Sequence, residues 1–203
     1  MANTATMTYR GIEFIKDFTV KYLTYIFFGA AKGRITLFNG FQEIKFSRTP
    51  TVIRKQSWDV RSLPSVLVGP ISGNAKYASL SKDFMYISKP TDAFQARYVG
   101  GYLEYSLTLT ARATTAIDCG NLADIVSIYM AHPDTKDYYL NQGLVIPSGP
   151  SISGETQLQE PAVDYPIFSI DVTVPIHSQW QDTYAVEDRL TDIISDISAE
   201  LDL

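Results

Sequence analysis

Cysteine appears once, at Cys119, which excludes an intrachain disulfide and any multi-cysteine metal site and fits assembly in a reducing cytosol. Histidine appears twice. His132 precedes a proline and His177 ends an apolar alternation. Neither has a partner at metal-ligand spacing, so both read as structural or surface residues and no cofactor is expected. Absent as well are a GxSxG elbow, a GxxxxGK[ST] phosphate loop and a GxGxxG turn. Catalysis is therefore not expected; a hydrolase would need a site assembled in space, with His132 or His177 joined to carboxylates. Apolar runs are short. The best, Tyr22 to Ala31, has about ten residues against the roughly twenty that a membrane span requires. No cationic leader with an apolar core and small-residue cleavage site is present, so export is not expected.

Bases are scarce beyond residue 113. Residues 114–203 hold 2 Lys+Arg against 15 Asp+Glu, whereas residues 1–113 hold 15 against 7, and the net charge is −5. The two halves either neutralise each other within one fold or leave two oppositely charged surfaces, which suit head-to-tail packing of copies. A basic surface alone also suits nucleic acid. Aromatic residues are plentiful, with 13 Tyr against 10 Phe. That excess of tyrosine implies rings with one wet edge, as at a β-rich core's rim or a subunit interface. At 203 residues, 45% apolar and 19% charged, the chain can build the core of one domain over 1–203.

The stretch from Tyr98 to Ala131 organises the rest. Leu103, Tyr105, Leu107, Leu109 and Ala111 alternate with Tyr102, Glu104, Ser106, Thr108, Thr110 and Arg112, the signature of a strand with one buried face. The period then changes: Leu122, Ile125, Val126 and Tyr129 share one helix face, with Asp118 or Asn121 as the cap and His132-Pro133 as the stop. Cys119 opens this helix and reads as a small, partly buried residue.

Before it, Tyr9 to Phe28 predicts a helix whose face is Ile12, Ile15, Phe18, Tyr22, Tyr25 and Ile26, ended by Gly29. Residues 34–38 and 41–46 flank Asn39-Gly40, the mark of a type I′ hairpin. Leu63 to Gly69 predicts a short buried strand stopped by Gly69-Pro70, Gly73-Asn74 a turn, and residues 77–88 a further strand. A loop from Lys89 then leads through Gly100-Gly101. After the central helix, residues 134–160 look irregular and predict an extended loop or arm able to cover a neighbour. Residues 167–176 alternate again, with Phe168, Ile170, Val172, Val174 and Ile176 inward. Pro175 marks an edge or bulge there, so this strand could extend a neighbour's sheet. Val186 to Leu201 predicts an amphipathic closing helix. The fold class is thus α+β, an antiparallel or mixed sheet with helices on one face.

Two charged surfaces are candidate interfaces. Arg48, Arg54, Lys55 and Arg61 around Trp58 form the basic side, and Asp188, Asp192, Asp196 and Glu200 on the closing helix form the acidic side. The basic segment has the composition of a nucleic-acid contact, but such a segment is as often the intramolecular partner of an acidic helix.

The order of elements, with YLEYSLTLTARATTAIDCGNLADIVSIYM as central strand and helix and FSIDVTVPIHSQW as the strand beside it, resembles the tail terminator and sheath-stabilising neck proteins of tailed bacteriophages. The likeness covers roughly half the chain and is one of pattern. It implies a structural virion protein, assembled in the host cytoplasm, that forms a hexameric ring at the head-proximal end of a tail. Its partners would be other copies of itself and the tail tube, sheath and neck connector, with genomic DNA passing the lumen without sequence-specific binding and no membrane involved. Another tail, baseplate or head-completion component on a related fold is the near alternative, and a DNA-binding accessory protein the alternative of a different class.

Overall fold

A computed structural model describes residues 6–28, 38–39, 42–44, 46, 48–54, 60–77, 96–158 and 165–185. In chain order these form β1 (Thr6–Thr8), α1 (Ile12–Phe28), β2 (Phe38–Asn39), β3 (Gln42–Glu43), β4 (Thr51–Ile53), a 3-10 turn (Val60–Ser62), β5 (Ser65–Tyr77) and β6 (Ala96–Ala113). Then follow α2 (Ala116–Ala131), α3 (Pro133–Leu140), β7 (Leu144–Val145), β8 (Ser151–Ile152), β9 (Thr156–Leu158) and β10 (Ile167–Ala185). The main sheet runs β1-β10-β6-β5-β4, with β7, β8 and β9 also paired to β10. It is mixed, because β4 and β5 are parallel and the other pairs antiparallel. The fold is α+β.

β6 and β10 pair without a break in register from Ala113–Phe168 to Ala96–Ala185. The predicted alternation is what is seen: Leu107, Leu109 and Ala111 of β6 and Ile170, Val172, Val174 and Ile176 of β10 are buried on one face. Ile15 and Leu23 of α1 and Leu122, Val126 and Met130 of α2 join them in one core. Arg112 departs from the expected polar face: it too is buried, beside Ser65 and Ser169 in the ladder.

Helix boundaries differ from expectation in instructive ways. Thr115, not Asp118 or Asn121, caps α2: its Oγ1 accepts from the Asp118 N–H at 3.1 Å. Asp118 instead sits in the first turn, where its carboxylate meets the positive end of the helix dipole. The helix ends at His132 as expected. In α1 the buried residues are Ile15, Phe18, Thr19 and Leu23, with Tyr22 and Ile26 packed against them, whereas Ile12 and Tyr25 are exposed. Ile12 opens the helix.

Three predicted breaks are strand interior. β5 runs straight through Gly69-Pro70, which lie opposite Thr108 as a bulge between the Val68–Leu109 and Ile71–Leu107 rungs. A bulge leaves a residue outside the ladder, so proline's missing N–H is tolerated there. Gly73-Asn74 is not a turn but pairs with Tyr105 and Glu104. A Cβ on Gly73 would lie 2.5 Å from Tyr105 Cδ1 and 2.8 Å from the Glu104 carbonyl, so the glycine serves close packing. Gly100-Gly101 belong to β6, opposite Gln181 and Trp180. Between β2 and β3, Asn39 pairs with Gln42 rather than forming the turn. The rest of the predicted hairpin, most of residues 77–95 and the closing helix from Val186 lie outside the described residues.

The largest correction concerns residues 134–160. Of these, 134–158 are described and are neither irregular nor an arm: α3, β7, β8 and β9 run through them, and Tyr139, Leu144 and Ile146 are buried in the core. The strands are too short to show a period in sequence. β9 pairs at 167–169 of β10, β8 at 172–173, β7 at 177–178 and β1 at 181–183. Ser153 fills one interval, with its N–H donating to the Asp171 carbonyl and its Oγ accepting from the Asp171 N–H. β10 is therefore an inner strand whose outer edge the chain closes itself, not a free edge for a neighbour. Pro175 falls in the interval between β8 and β7.

Candidate functional site

The proposed charged interface is only partly within view. Arg48 is exposed ahead of β4, and Arg61 is exposed in the 3-10 turn. Arg54, just after β4, reaches α1: Nη1 meets Asp17 Oδ1 at 2.5 Å and Nη2 meets Glu13 Oε2. The Glu13 hydrogen bond raises the Arg54 pKa, and the two ion pairs tie the end of β4 to α1 while the guanidinium stays exposed. The basic segment is thus, at this position, the partner of acids in its own half. Lys55, Asp188, Asp192, Asp196 and Glu200 lie outside the described residues.

The structure brings together a different set of residues. Where α1 passes the corner between α2 and α3, a cleft of about 530 Å³ is lined by Tyr22, Tyr25, Ile26, Tyr129, His132, Asp134 and Tyr138. His132 builds the corner. It ends α2, and its Nδ1 accepts from the Asp134 N–H at 3.2 Å as the cap of α3, with Pro133 at the first helical position. Packed rings wall the cleft. Tyr22 and Tyr138 lie 5.2 Å apart at 31°, and Tyr138 stacks on Phe18 at 5.0 Å.

Two hydroxyl relays pin α1 to α3. Thr135 donates to the Tyr129 carbonyl, which consumes its one proton, so in the Tyr22–Thr135 contact the tyrosine donates. Tyr22 thereby presents its oxygen to the cleft as an acceptor. Below it, Thr19 donates to the Ile15 carbonyl at 2.8 Å, so buried Tyr139 donates to Thr19 at 2.9 Å. Burial raises the Tyr22 pKa, and Tyr129, Asp134 and Tyr138 add to it. Burial likewise raises the pKa of Tyr129 and of Tyr139. The cleft is consequently a concave π-surface with phenol oxygens and one carboxylate, a surface that attracts positive charge.

The cleft does join His132 to a carboxylate, but the Nδ1 of that histidine is held by the helix cap and Thr135 donates to the backbone. This geometry builds a corner and does not activate a nucleophile. His177 pairs with Glu104 across the ladder, Nε2 to Oε1 at 3.9 Å, beside the Tyr102 ring. Cys119 is fully buried, more so than expected. Its Sγ donates to the Ala111 carbonyl at 3.4 Å, and burial, with Glu155 adding, pushes the thiol up to about 12. A helix-opening position does not activate it. Among the described residues no cluster of His, Cys, Asp and Glu could hold a metal ion, and no helix is long and apolar enough to cross a membrane.

Tyrosine is plentiful in the sequence, but its spacing does not gather these rings into one cleft. Asp134 and Tyr138 fall in the stretch expected to be irregular, where no helix would hold them. The available signal was His132-Pro133-Asp134 itself: a capping residue, proline at the first helical position and an acid in the first turn mark a helix start as well as a stop. In comparison with known proteins, no family model matches the chain and no curated protein matches it significantly.

Proposed function

We propose that this chain is a non-catalytic structural protein of a phage virion, forming a closed ring at the head-proximal end of the tail. Copies do not pair through β10, because its outer edge is occupied by β7, β8, β9 and β1. The observation that carries the oligomeric reading is the outer face of α2. Ile117 and Ile128, three turns apart on one side, are 77% and 65% exposed, and Tyr138 on the adjoining helix is 46% exposed. Large apolar side chains left this open along one helix favour burial against another chain. Placement at the tail terminus rests on the resemblance of the central strand–helix unit and its partner strand to terminator and neck proteins, and the α+β architecture supports it. The ring reading also suits the split charge of the chain.

The test is mass in solution by light scattering after gel filtration across salt concentrations, alone and with tail-tube or connector proteins, followed by negative-stain imaging. The expected result is a closed ring. A particle that stays monomeric under every condition and with every partner rejects the reading. Strong, salt-sensitive duplex binding by such a monomer would support the accessory DNA-binding alternative instead.

A further inference from the structure

We propose that the tyrosine cleft is a receptor for an organic cation, the side chain of an arginine or lysine supplied by the basic half of a second copy of this chain. The inference rests on the ring reading for the source of the cation, and on the cleft's own geometry for the cation.

The lining chemistry is one-sided. Tyr22, Tyr25, Tyr129 and Tyr138 bring four aromatic rings to the lining, and the faces of such rings carry negative quadrupole charge. Tyr22 has spent its proton on Thr135, so its oxygen can only accept from a ligand. Asp134 contributes a carboxylate at the rim, mostly exposed. His132 is the remaining polar lining residue, and its Nδ1 is already an acceptor for a backbone N–H. No lysine or arginine lines the cleft. An anion would face the Asp134 carboxylate with no lysine or arginine in the lining to hold it, and a neutral apolar group would leave the carboxylate and phenol oxygens unused.

Size and supply point the same way. About 530 Å³ is too large for a lone ion and fits an extended side chain with part of its backbone. The chain already uses this chemistry internally, with the Arg10 guanidinium 4.9 Å from the centre of the Phe14 ring. The cleft corner, from Tyr129 to Tyr138, belongs to the base-poor half of the sequence. Residues 1–113 hold 15 Lys+Arg against 7 acids, so a second copy brings the complementary charge. Tyr25 at 58% exposure and Tyr138 leave the mouth open to it.

Two measurements on the full chain test this. In the first, N-acetyl-arginine amide is titrated into the protein and followed by NMR of the tyrosine rings, with N-acetyl-glutamate as the control of opposite charge. The expected result is saturable binding of the arginine probe alone, weakened about fivefold by Asp134→Asn and more by Tyr138→Ala. Because Tyr138 also stacks on Phe18, Asp134→Asn is the variant that keeps the fold intact. No saturable binding, or equal binding of both probes, overturns the assignment of the cleft. In the second, light scattering follows assembly with and without saturating probe. Loss of assembled mass with the probe, and in Asp134→Asn without it, supports the second copy as donor. Probe binding that leaves the assembled mass unchanged overturns that source while the ring stands. A wild-type chain that binds the probe but never assembles overturns the source and the ring reading together.

Discussion

At the scale of single residues, the two Tyr–Thr relays make an asymmetric prediction. Tyr139→Phe removes the donor to Thr19, yet Thr19 keeps its own bond to the Ile15 carbonyl. No buried proton is orphaned, and the cost is about 1 kcal/mol. Thr19→Val keeps the shape but leaves the Tyr139 O–H buried with no acceptor, and costs about 2–3 kcal/mol. Denaturant midpoints of the two variants against wild type check the order; equal costs would contradict the assigned donor direction. Cys119 gives a pH signature. Its folded pKa is raised to about 12 from an ordinary value near 9.0. The unfolded thiol therefore loses its proton first, and the unfolded state binds fewer protons between those values. Stability contributed by this group is intact below pH 9 and falls as pH rises from there toward 12. Unfolding midpoints of wild type and Cys119→Ala measured from pH 8 to 11 should diverge above pH 9, with wild type losing more. Thiol labelling at pH 8 should be slow in the folded protein and fast in denaturant.

At the scale of elements, β7, β8 and β9 do a task out of proportion to their length. Together with Ser153 they occupy the outer edge of β10 from Ile167 to Ser178 in pieces of two or three residues. Replacing residues 151–158 with a Gly-Ser linker of equal length should leave the core intact, since its side chains there are largely exposed. It would, however, open the 167–173 edge to other strands. The expected outcome is native-like circular dichroism with concentration-dependent aggregation, read by static light scattering. A variant as soluble as wild type would show that the edge needs no cover. These short pieces also show where sequence reading stops. The long alternations of Leu103–Ala111 and Phe168–Ile176 were legible because each strand buries one face over many residues. So was the stripe Leu122, Ile125 and Val126. A two-residue strand has no period to detect. Gly69-Pro70 and Gly73-Asn74 misled for a related reason: glycine and proline mark turns when the backbone decides. Here they answer to a bulge opposite Thr108 and to the ring of Tyr105, contacts between residues distant in sequence. The tyrosine cleft was hidden in the same way, because its walls come from 22–26 and 129–138 and only tertiary packing joins them.

At the scale of the whole molecule, charge was legible as an imbalance between halves but not as a map. Arg54, a candidate for the basic surface, is exposed and at the same time bridges Glu13 and Asp17. The unbroken β6–β10 ladder has a further consequence, for time rather than for shape. Its nearest rung, Ala113–Phe168, joins residues 55 apart in sequence, and its farthest, Ala96–Ala185, residues 89 apart. Every rung must wait for a long loop to close, whereas β6 can meet α2 as soon as both exist. Refolding should therefore be slow for a chain of this size, and fast-forming helix should precede protection of the β6 and β10 amides in pulse-labelled hydrogen exchange. If those amides were protected in the earliest phase, the ladder would not be the late step. In the interval, β6 is an unpaired template that the β10 of another copy can satisfy as well as its own. Each time it folds, the chain thus passes through a moment when strand exchange between copies competes with completion, and dilution during refolding should raise the yield of correctly closed chains.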